Sequence, residues 1–231
     1  MVPFLSYFYN ENIANSPERL AKILEKNEAQ NVKTNVAFDG INLSGQDLRD
    51  VNLQSITMTN VDLSNADLSR ANMINANLTL ANLNKALMTS SDLTDADLFS
   101  TNLTNADLGY ADLTNANLLS SDLTNAFLRY ADLTNADLGY ADLTGADHFG
   151  ANLTNAALIN SYLTNANLLS SDLTNADLRF ADLTNVDLIS AILEKTYFTC
   201  ESLTDANLIN SIDLQKVHLF DSNMNEVSSC K

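Results

Sequence analysis

The sequence predicts an all-β solenoid, in which short extended segments wind around one axis as a single domain. The first observation behind this prediction is a five-residue unit that recurs thirty-five times without insertion or deletion over residues 36–210. The second is that each unit begins with an apolar–polar–apolar triplet, and the third is that two turn-compatible residues follow it. A helix of about 3.6 residues per turn cannot keep a five-residue stripe on one side, so helix is excluded for this region.

The unit reads Ala–Asp/Asn–Leu–polar–polar, as in residues 131–135, and its third residue is called the central position here. Leu fills that position in twenty-nine of the thirty-five units, and a small residue, usually Ala, stands two places before it. Alternation with a period of two is typical of an extended segment with one buried face. A fully buried Leu contributes about 1.5–3 kcal/mol relative to an exposed one, so a column of them forms an independent core.

The last two residues of each unit form a corner, which must bend the chain the same way every time. Thr-Asn recurs at these corners every ten residues, for example at residues 104–105, 114–115 and 124–125, and this indicates an even number of sides. Four sides and twenty residues per coil fit best. The 175 residues of the repeat then give about nine coils, stacked about 4.8 Å apart with their backbone groups paired as in a parallel ladder.

Residues 1–35 lie outside the repeat and are expected to cap the open end of the first coil. The pattern Ser16-Pro17-Glu18 is typical of a helix start, with an N-cap, a proline at the first helical position and an acid in the first turn. Apolar residues follow at helical spacing, so a short α-helix is predicted over about residues 17–26. Solenoid ends need such lids because an exposed ladder edge invites another chain.

At the C-terminal end the frame of the repeat slips by one residue at Ser211. Three weaker units continue after the slip, and the last of them is Ser222-Asn223-Met224. The predicted β-helix therefore covers residues 36–226, and a polar tail follows at residues 227–231.

Composition and charge exclude several classes of protein. No stretch of eighteen apolar residues occurs, so a membrane span is not expected, and residues 1–9 lack the basic start of a secretory signal. Cytoplasmic location is the resulting expectation. The net charge is −17, and fourteen Asp against two Arg lie between Ala86 and Leu193. Direct binding to nucleic acid is disfavoured on such an acidic surface.

The Asp side chains precede the central residues and are expected to point outward. Asp92, Asp112 and Asp132 are spaced by one coil, so they are expected to stack as a column along one face. Such a column could collect cations. Calcium, however, needs about six to eight converging oxygens, and a rod presents its carboxylates in a flat row. A solvated, hydrogen-bonding surface without a metal is therefore the favoured interpretation.

His148 is the one candidate for chemistry, because it occupies a central position where Leu is expected. It is either a ligand or general base, or a neutral, hydrogen-bonded core histidine, with bulging of residues 147–150 as a further alternative. The core interpretation is favoured, since neither a nucleophile–base pair nor a phosphate-binding loop is evident.

A bond between Cys200 and Cys230 would pin the C-terminus, but two unpaired thiols are expected. No enzyme activity, catalytic residue, metal or cofactor is predicted.

The candidates for a partner-binding surface are aromatic corner residues, the arginines beside them and the acidic column. They are Tyr110, Tyr130, Phe149, Arg129, Tyr140, Phe180, Arg179, Asp92, Asp112 and Asp132. Tyr110 and Tyr130 lie one coil apart and are expected to stack, whereas Tyr140 and Phe180 lie on the opposite face, two coils apart. Aromatic and arginine side chains are enriched at interaction hot spots. The alternative, that these rings only cover neighbouring corners, stays open.

The in-frame unit, which covers about three quarters of the chain, resembles the repeat of the pentapeptide-repeat family. The resemblance implies a right-handed quadrilateral parallel β-helix, and the handedness and square section rest on it. Within that family, the quinolone-resistance proteins of bacteria bind type II topoisomerases by imitating B-DNA, and other members act as regulatory or adaptor proteins.

These observations predict a non-catalytic scaffold that binds a protein partner through rigid acidic faces, as a monomer or an end-to-end dimer. The alternative is a B-DNA-mimicking inhibitor or protector of DNA gyrase or another type II topoisomerase. The C-terminal dimerising element and the projecting loops of the quinolone-resistance relatives are not evident in this sequence.

Overall fold

The structure is a computed structural model that describes residues 38–203, 216–228 and 230. The helix predicted over residues 17–26 and the frame slip at residue 211 lie outside the described residues. The assigned strands are β1 (Asp177–Leu178), β2 (Tyr197–Thr199), β3 (His218–Phe220) and β4 (Glu226–Val227), with a 3₁₀ turn at Glu201–Leu203 after β2. They form one sheet in the order β1-β2-β3-β4. In this described part of the chain, no helix is long and apolar enough to cross a membrane.

Single parallel bridges between residues twenty positions apart hold the rest of the described backbone. The series advances five residues at each step and runs through residues 42–192. Each bridge is closed by two backbone hydrogen bonds. Leu63 N–H, for example, donates to the Asn82 carbonyl at 2.7 Å, and Asn82 N–H donates to the Val61 carbonyl at 2.8 Å. Four five-residue sides therefore make one coil, as the sequence predicts.

Each corner is a β-turn whose third residue is left-handed. In the turn that starts at Leu63, the Ala66 N–H donates to the Leu63 carbonyl at 3.0 Å, and Asn65 has a φ of 58°. A positive φ returns at every fifth residue from Gly40 to Lys195. Asn is the commonest residue there because its short polar side chain tolerates this conformation better than a bulky one does.

The Asp or Asn before each central residue caps the corner that follows. Asp62 Oδ1 accepts from the Ser64 N–H at 3.0 Å, and Asp112 Oδ1 accepts from the Thr114 N–H at the same distance. This contact satisfies a backbone N–H that does not take part in the ladder between coils. The acidic residues therefore stabilise the backbone in addition to supplying charge.

The core is a column of central residues surrounded by the small residues of each unit. Every central residue over residues 53–193 is buried. Ser91 and Ser121 replace Ala in two units, and their hydroxyls donate to the carbonyls of Met88 and Leu118 at 2.7 and 2.6 Å. Because these hydroxyls are satisfied inside the core, the replacement leaves the coil intact.

The described coil stack ends in a hairpin. Tyr197 of β2 pairs with His218 of β3, 21 residues further on, which is one more than the 20 of the regular coils. β4 then pairs antiparallel with β3. The structure thus differs from the further repeat unit expected at residues 222–224. The Asp221 carboxylate accepts from the Asn223 and Asn225 N–H groups, both at 2.9 Å, and stabilises a chain reversal there.

A disulfide joins Cys200 to Cys230, with the two Cα atoms 5.3 Å apart. The expectation of two unpaired thiols is therefore wrong. The hairpin brings the tail back beside the end of β2, and a spacing of thirty residues in the sequence does not reveal that return.

Candidate interaction surface

Three aromatic side chains form a ridge along one corner of the coil stack. The rings of Tyr110 and Tyr130 stack with centroids 5.1 Å apart and an interplanar angle of 19°, and Phe149 meets Tyr130 edge-on at 5.4 Å. Tyr110 is 63% exposed and Tyr130 is 48% exposed. These three residues are called the aromatic ridge. Tyr110 and Tyr130 are one coil apart in the sequence, and their rings stack as expected from that spacing.

The ridge rests on a glycine. Tyr110 and Tyr130 occupy left-handed corner positions with φ of 57° and 58°. Gly150 follows in the same column of corners with a φ of 66°, and a Cβ at this residue would lie 2.7 Å from Cε1 of Tyr130. The ring of Tyr130 therefore packs against the backbone of Gly150, and a larger residue there would displace the ring.

Arg129 lies beside the ridge. Its Nε donates to Oδ2 of Asp147 at 2.5 Å, and its guanidinium carbon lies 5.9 Å from the centroid of Phe149. The hydrogen bond and the charge of Asp147 raise the pKa of Arg129. The arginine side chain is mostly exposed, so this ion pair contributes little to stability and keeps a cationic group at the edge of the ridge.

The acidic column of Asp92, Asp112 and Asp132 lies on the side that follows the ridge corner. Bridges join Asp92 to Asp112 and Asp112 to Asp132, so the three residues lie on successive coils, about 4.8 Å apart. Their carboxylates cap corners, as where Oδ1 of Asp92 accepts from the Thr94 N–H at 3.1 Å and Oδ1 of Asp132 from the Thr134 N–H at 2.9 Å. These contacts fix the orientation of the carboxylates.

The remaining candidates do not join the ridge. Tyr140 and Phe180 lie in the opposite column of corners, two coils apart, and no ring contact joins them within the described residues. Arg179 lies at the C-terminal end, where it pairs with Asp177 and approaches the Phe220 centroid to 5.4 Å. This arginine is mostly buried and braces the last described coils.

A second column, which is absent from the residues predicted from the sequence, lies on the side before the ridge corner. It is called the mixed column and runs Asp67, Leu87, Asp107, Phe127 and Asp147, each bridged to the next. Leu87 is 46% exposed and Phe127 is 50% exposed. Both stand where the repeat places Asp or Asn, so their side chains cannot cap the corner that follows. A large apolar residue at the position where the repeat has Asp or Asn is the sequence signal that identifies Leu87 and Phe127.

His148 lies in the core, as predicted, but lacks the expected hydrogen bond. Among the described residues neither ring nitrogen has a hydrogen-bond partner, and the corner at residues 147–150 is regular rather than bulged. Burial lowers the pKa of the imidazole to about 4, against weaker opposing effects of the Asp147 charge and the Ala146 backbone. The ring is therefore neutral at pH 7. The neighbouring central residues in its column, Leu128 and Leu168, are apolar.

No three His, Cys, Asp or Glu side chains in the described ranges lie close enough together to hold a metal ion. An open cavity of about 290 Å³ lies at the C-terminal end. Its lining includes Phe180, Asp182, Thr184, Thr199, Glu201 and Ser202. His148 does not line this cavity, so the buried imidazole and the cavity are separate features.

The pentapeptide repeats family matches this chain in eight copies. The matched ranges are 34–65, 57–95, 66–105, 101–139, 111–147 and 151–188. They cover more than half of the chain, which therefore belongs to the pentapeptide-repeat family and folds as a right-handed β-helix solenoid. No curated protein matches the chain.

Solved structures of pentapeptide repeat proteins are similar to this chain. HetL, which is involved in heterocyst differentiation regulation in the cyanobacterium Nostoc sp. strain PCC 7120, is 29% identical, with a TM-score of 0.67 over 90% of this chain and 98% of HetL. A protein of the Arabidopsis thaliana thylakoid lumen is 23% identical, with a TM-score of 0.42 over 54% of this chain and 86% of its own. QnrB1, a plasmid-mediated fluoroquinolone resistance protein, is 22% identical in a trypsin-treated variant, with a TM-score of 0.38 over 79% of this chain and 90% of its own.

Proposed function

We propose that this chain is a non-catalytic scaffold that binds a protein partner through its outer faces, with the aromatic ridge as the principal contact. The observation that carries this proposal is the pair of exposed rings of Tyr110 and Tyr130 at left-handed corners. Tyr supplies a large contact area at a low cost in side-chain entropy and is enriched at interaction hot spots.

The fold itself gives no reason for tyrosine at these two corners. A left-handed conformation costs an L-residue with a bulky side chain about 1–2 kcal/mol, and Asn or Gly reduces that cost. Other corners of the same column carry Ser90, Gly150 and Ser170, so small residues satisfy the same geometry. Two strained and exposed rings side by side are therefore better explained by recognition than by folding.

The likeness to HetL supports a regulatory binding role, because HetL is itself described as involved in a regulatory process and its match extends along 90% of this chain. A rigid rod suits such a role, since each coil is held by its neighbours and its surface changes little on binding. Asp107, Asp112 and Asp132 flank the ridge, and Arg129 at its edge is paired with Asp147, so the excess charge is negative and the partner carries basic groups.

Cross-linking and recovery of partners from a lysate of the source organism test this proposal. The ridge variant is Tyr110→Ser with Tyr130→Ser, which installs the residue of neighbouring corners. The matched control is Tyr140→Asn, an exposed corner tyrosine on the opposite side. The partner captured by the wild-type chain should be lost with the ridge variant and kept with the control. Equal capture by all three proteins would contradict the role of the ridge.

A second candidate function is imitation of B-DNA toward a type II topoisomerase, and the acidic column is the observation that favours it. Its carboxylates are fixed at regular intervals along the repeat of a chain whose net charge is −17. Changing all three residues to Asn removes the charge but keeps the corner caps, because Asn72 and Asn152 of the same face accept from the Ile74 and Thr154 N–H groups.

A gyrase supercoiling assay discriminates between the two functions. DNA mimicry predicts inhibition or drug protection at micromolar wild-type protein and its loss in the triple Asn variant. No effect of the wild-type chain at high concentration would remove this candidate and leave the scaffold function standing.

A further inference from the structure

We infer that the partner element recognised by this chain is a basic amphipathic α-helix, which lies along the mixed column with one flank against the aromatic ridge. The inference rests on the proposed function and specifies the chemistry and geometry of the occupant. The mixed column alternates acidic and apolar residues at successive coils: Asp67, Leu87, Asp107, Phe127 and Asp147.

The two apolar residues are a departure from the repeat. Asp and Asn are favoured at this position because their side chains cap the next corner, and Leu87 and Phe127 give up that contact while remaining about half exposed. Two large apolar side chains on one face, two coils apart, form a pair of anchoring points for a partner. Tyr110 and Tyr130 end the same two sides as Asp107 and Phe127, so the ridge borders this face.

Asp107 lies between the two anchors and is available to a cation. Its Oδ1 accepts from the Gly109 N–H at 3.0 Å, and within the described ranges it takes part in no ion pair. Gly109 has no side chain to cover this carboxylate, and a Cβ there would lie 3.2 Å from Oδ1. Asp67 and Asp147, by contrast, already lie near Arg49 and Arg129.

Spacing selects a helix over other elements. Coils about 4.8 Å apart place the apolar anchors about 9.6 Å from each other, with Asp107 halfway. Residues i and i+7 of an α-helix are about 10.5 Å apart, and residues i+3 and i+4 lie on the same face about halfway between them. Side chains on one face of a β-strand repeat about every 6.7 Å, which fits neither interval. A polyproline helix repeats about every 9.3 Å but presents no residue of the same face at half that distance.

The probe is a fluorescently labelled, alanine-rich peptide of about 20 residues, long enough to be helical, with Leu at i and i+7 and Arg at i+3 and i+4. Its binding to the full chain is followed by fluorescence anisotropy. Two control peptides have the same composition with a scrambled order, or carry a central proline that breaks the helix. The designed peptide should bind at least about tenfold more tightly than either control.

Two matched protein variants locate the contact. Leu87→Asn with Phe127→Asn restores a capping residue of the repeat at the mixed column and leaves the charge unchanged. Tyr162→Asn with Ile192→Asn makes the same kind of change at two exposed apolar residues on other faces. The first variant should weaken binding at least about tenfold, and the second should change it less than about twofold.

Equal affinity of the wild-type chain and the mixed-column variant for the designed peptide would overturn the inference. Equal binding of the designed peptide and the proline-broken peptide would also overturn it, because it would indicate an extended occupant. Absence of binding of the helical peptide would also overturn it. The proposed function has a separate outcome: a partner captured equally by the wild-type chain and the mixed-column variant would leave the scaffold function standing without this face.

Discussion

Replacing His148 by Leu should stabilise the protein. The imidazole is buried in the central column, and neither ring nitrogen has a hydrogen-bond partner among the described residues. An unsatisfied buried polar group costs about 1–3 kcal/mol, whereas Leu is the residue that fills most central positions and has a suitable shape. We therefore expect His148→Leu to raise the free energy of unfolding at pH 7.5 by about 1–3 kcal/mol.

The gain should grow as the pH falls. The pKa of His148 is lowered from 6.5 to about 4 by burial, so protons bind preferentially to the unfolded chain below pH 6.5. The wild-type protein loses stability progressively as the pH falls from 6.5 to about 4, and the Leu variant does not lose this contribution. The extra difference between them amounts to about 2 kcal/mol at pH 5 and about 3 kcal/mol near pH 4, at 1.36 kcal/mol per unit of pKa shift.

Hydrogen exchange of the wild-type protein and the His148→Leu variant is measured at pH 7.5 and pH 5. The protection of backbone amides in the coils around residues 126–170 gives the local difference in stability. Local reading is needed because a solenoid does not have to unfold in a single two-state step. Titration of the Asp carboxylates is common to both proteins and cancels in the difference. His218→Gln is the control for removal of a histidine outside the core. A destabilised Leu variant, or a gain independent of pH, would contradict this prediction and show that the imidazole makes a polar contact in solution.

Two further predictions concern the ends and the ridge. Cys230→Ser, or reduction of the disulfide, should destabilise the C-terminal hairpin by up to about 3–4 kcal/mol, because the bond removes the entropy of closing a loop of about 30 residues. The central coils should keep their protection against hydrogen exchange. Uniform loss of protection along the rod would contradict this prediction. Gly150→Ala should lower the melting temperature more than Gly45→Ala does, because both have a positive φ but only the Cβ at residue 150 meets the ring of Tyr130. Equal effects would show that Tyr130 moves aside freely.

The sequence predicts the coils well because one geometric requirement is repeated many times. A side chain at every fifth position must be buried, and this requirement alone places Leu108, Leu128 and their equivalents on the axis. The same period brings Tyr110 and Tyr130 together, so the ridge is predictable from their spacing. The place of a unit that departs from the repeat is still predicted by the units beside it, since successive coils pair only in register.

Features that depend on a single contact are not predictable in this way. The hairpin at the C-terminal end follows from the pairing of β3 with β4, for which no repeat provides a template, and the disulfide follows from that hairpin. The repeat does not predict the pairing of Arg129 with Asp147 either. Arg179 pairs with Asp177 of its own unit, but Phe127 stands at the equivalent position before Arg129, so that arginine reaches an acid on the next coil.

Residues 146–150 combine several features of the core and the ridge in one unit, and this links stability to recognition. Residues 146–150 contain the unsatisfied core histidine, the Asp that pairs with Arg129, the ring of Phe149 and the glycine under Tyr130. Asp147 is the usual residue of the repeat and caps its corner by accepting from the Phe149 N–H at 3.1 Å, whereas a central Leu would replace His148 without loss of the coil. Because these four residues are consecutive, protonation of His148 should loosen the coil that supports the ridge before the rest of the rod is affected. The stacking of the tyrosine rings should then be lost at a higher pH than the structure of the remaining coils.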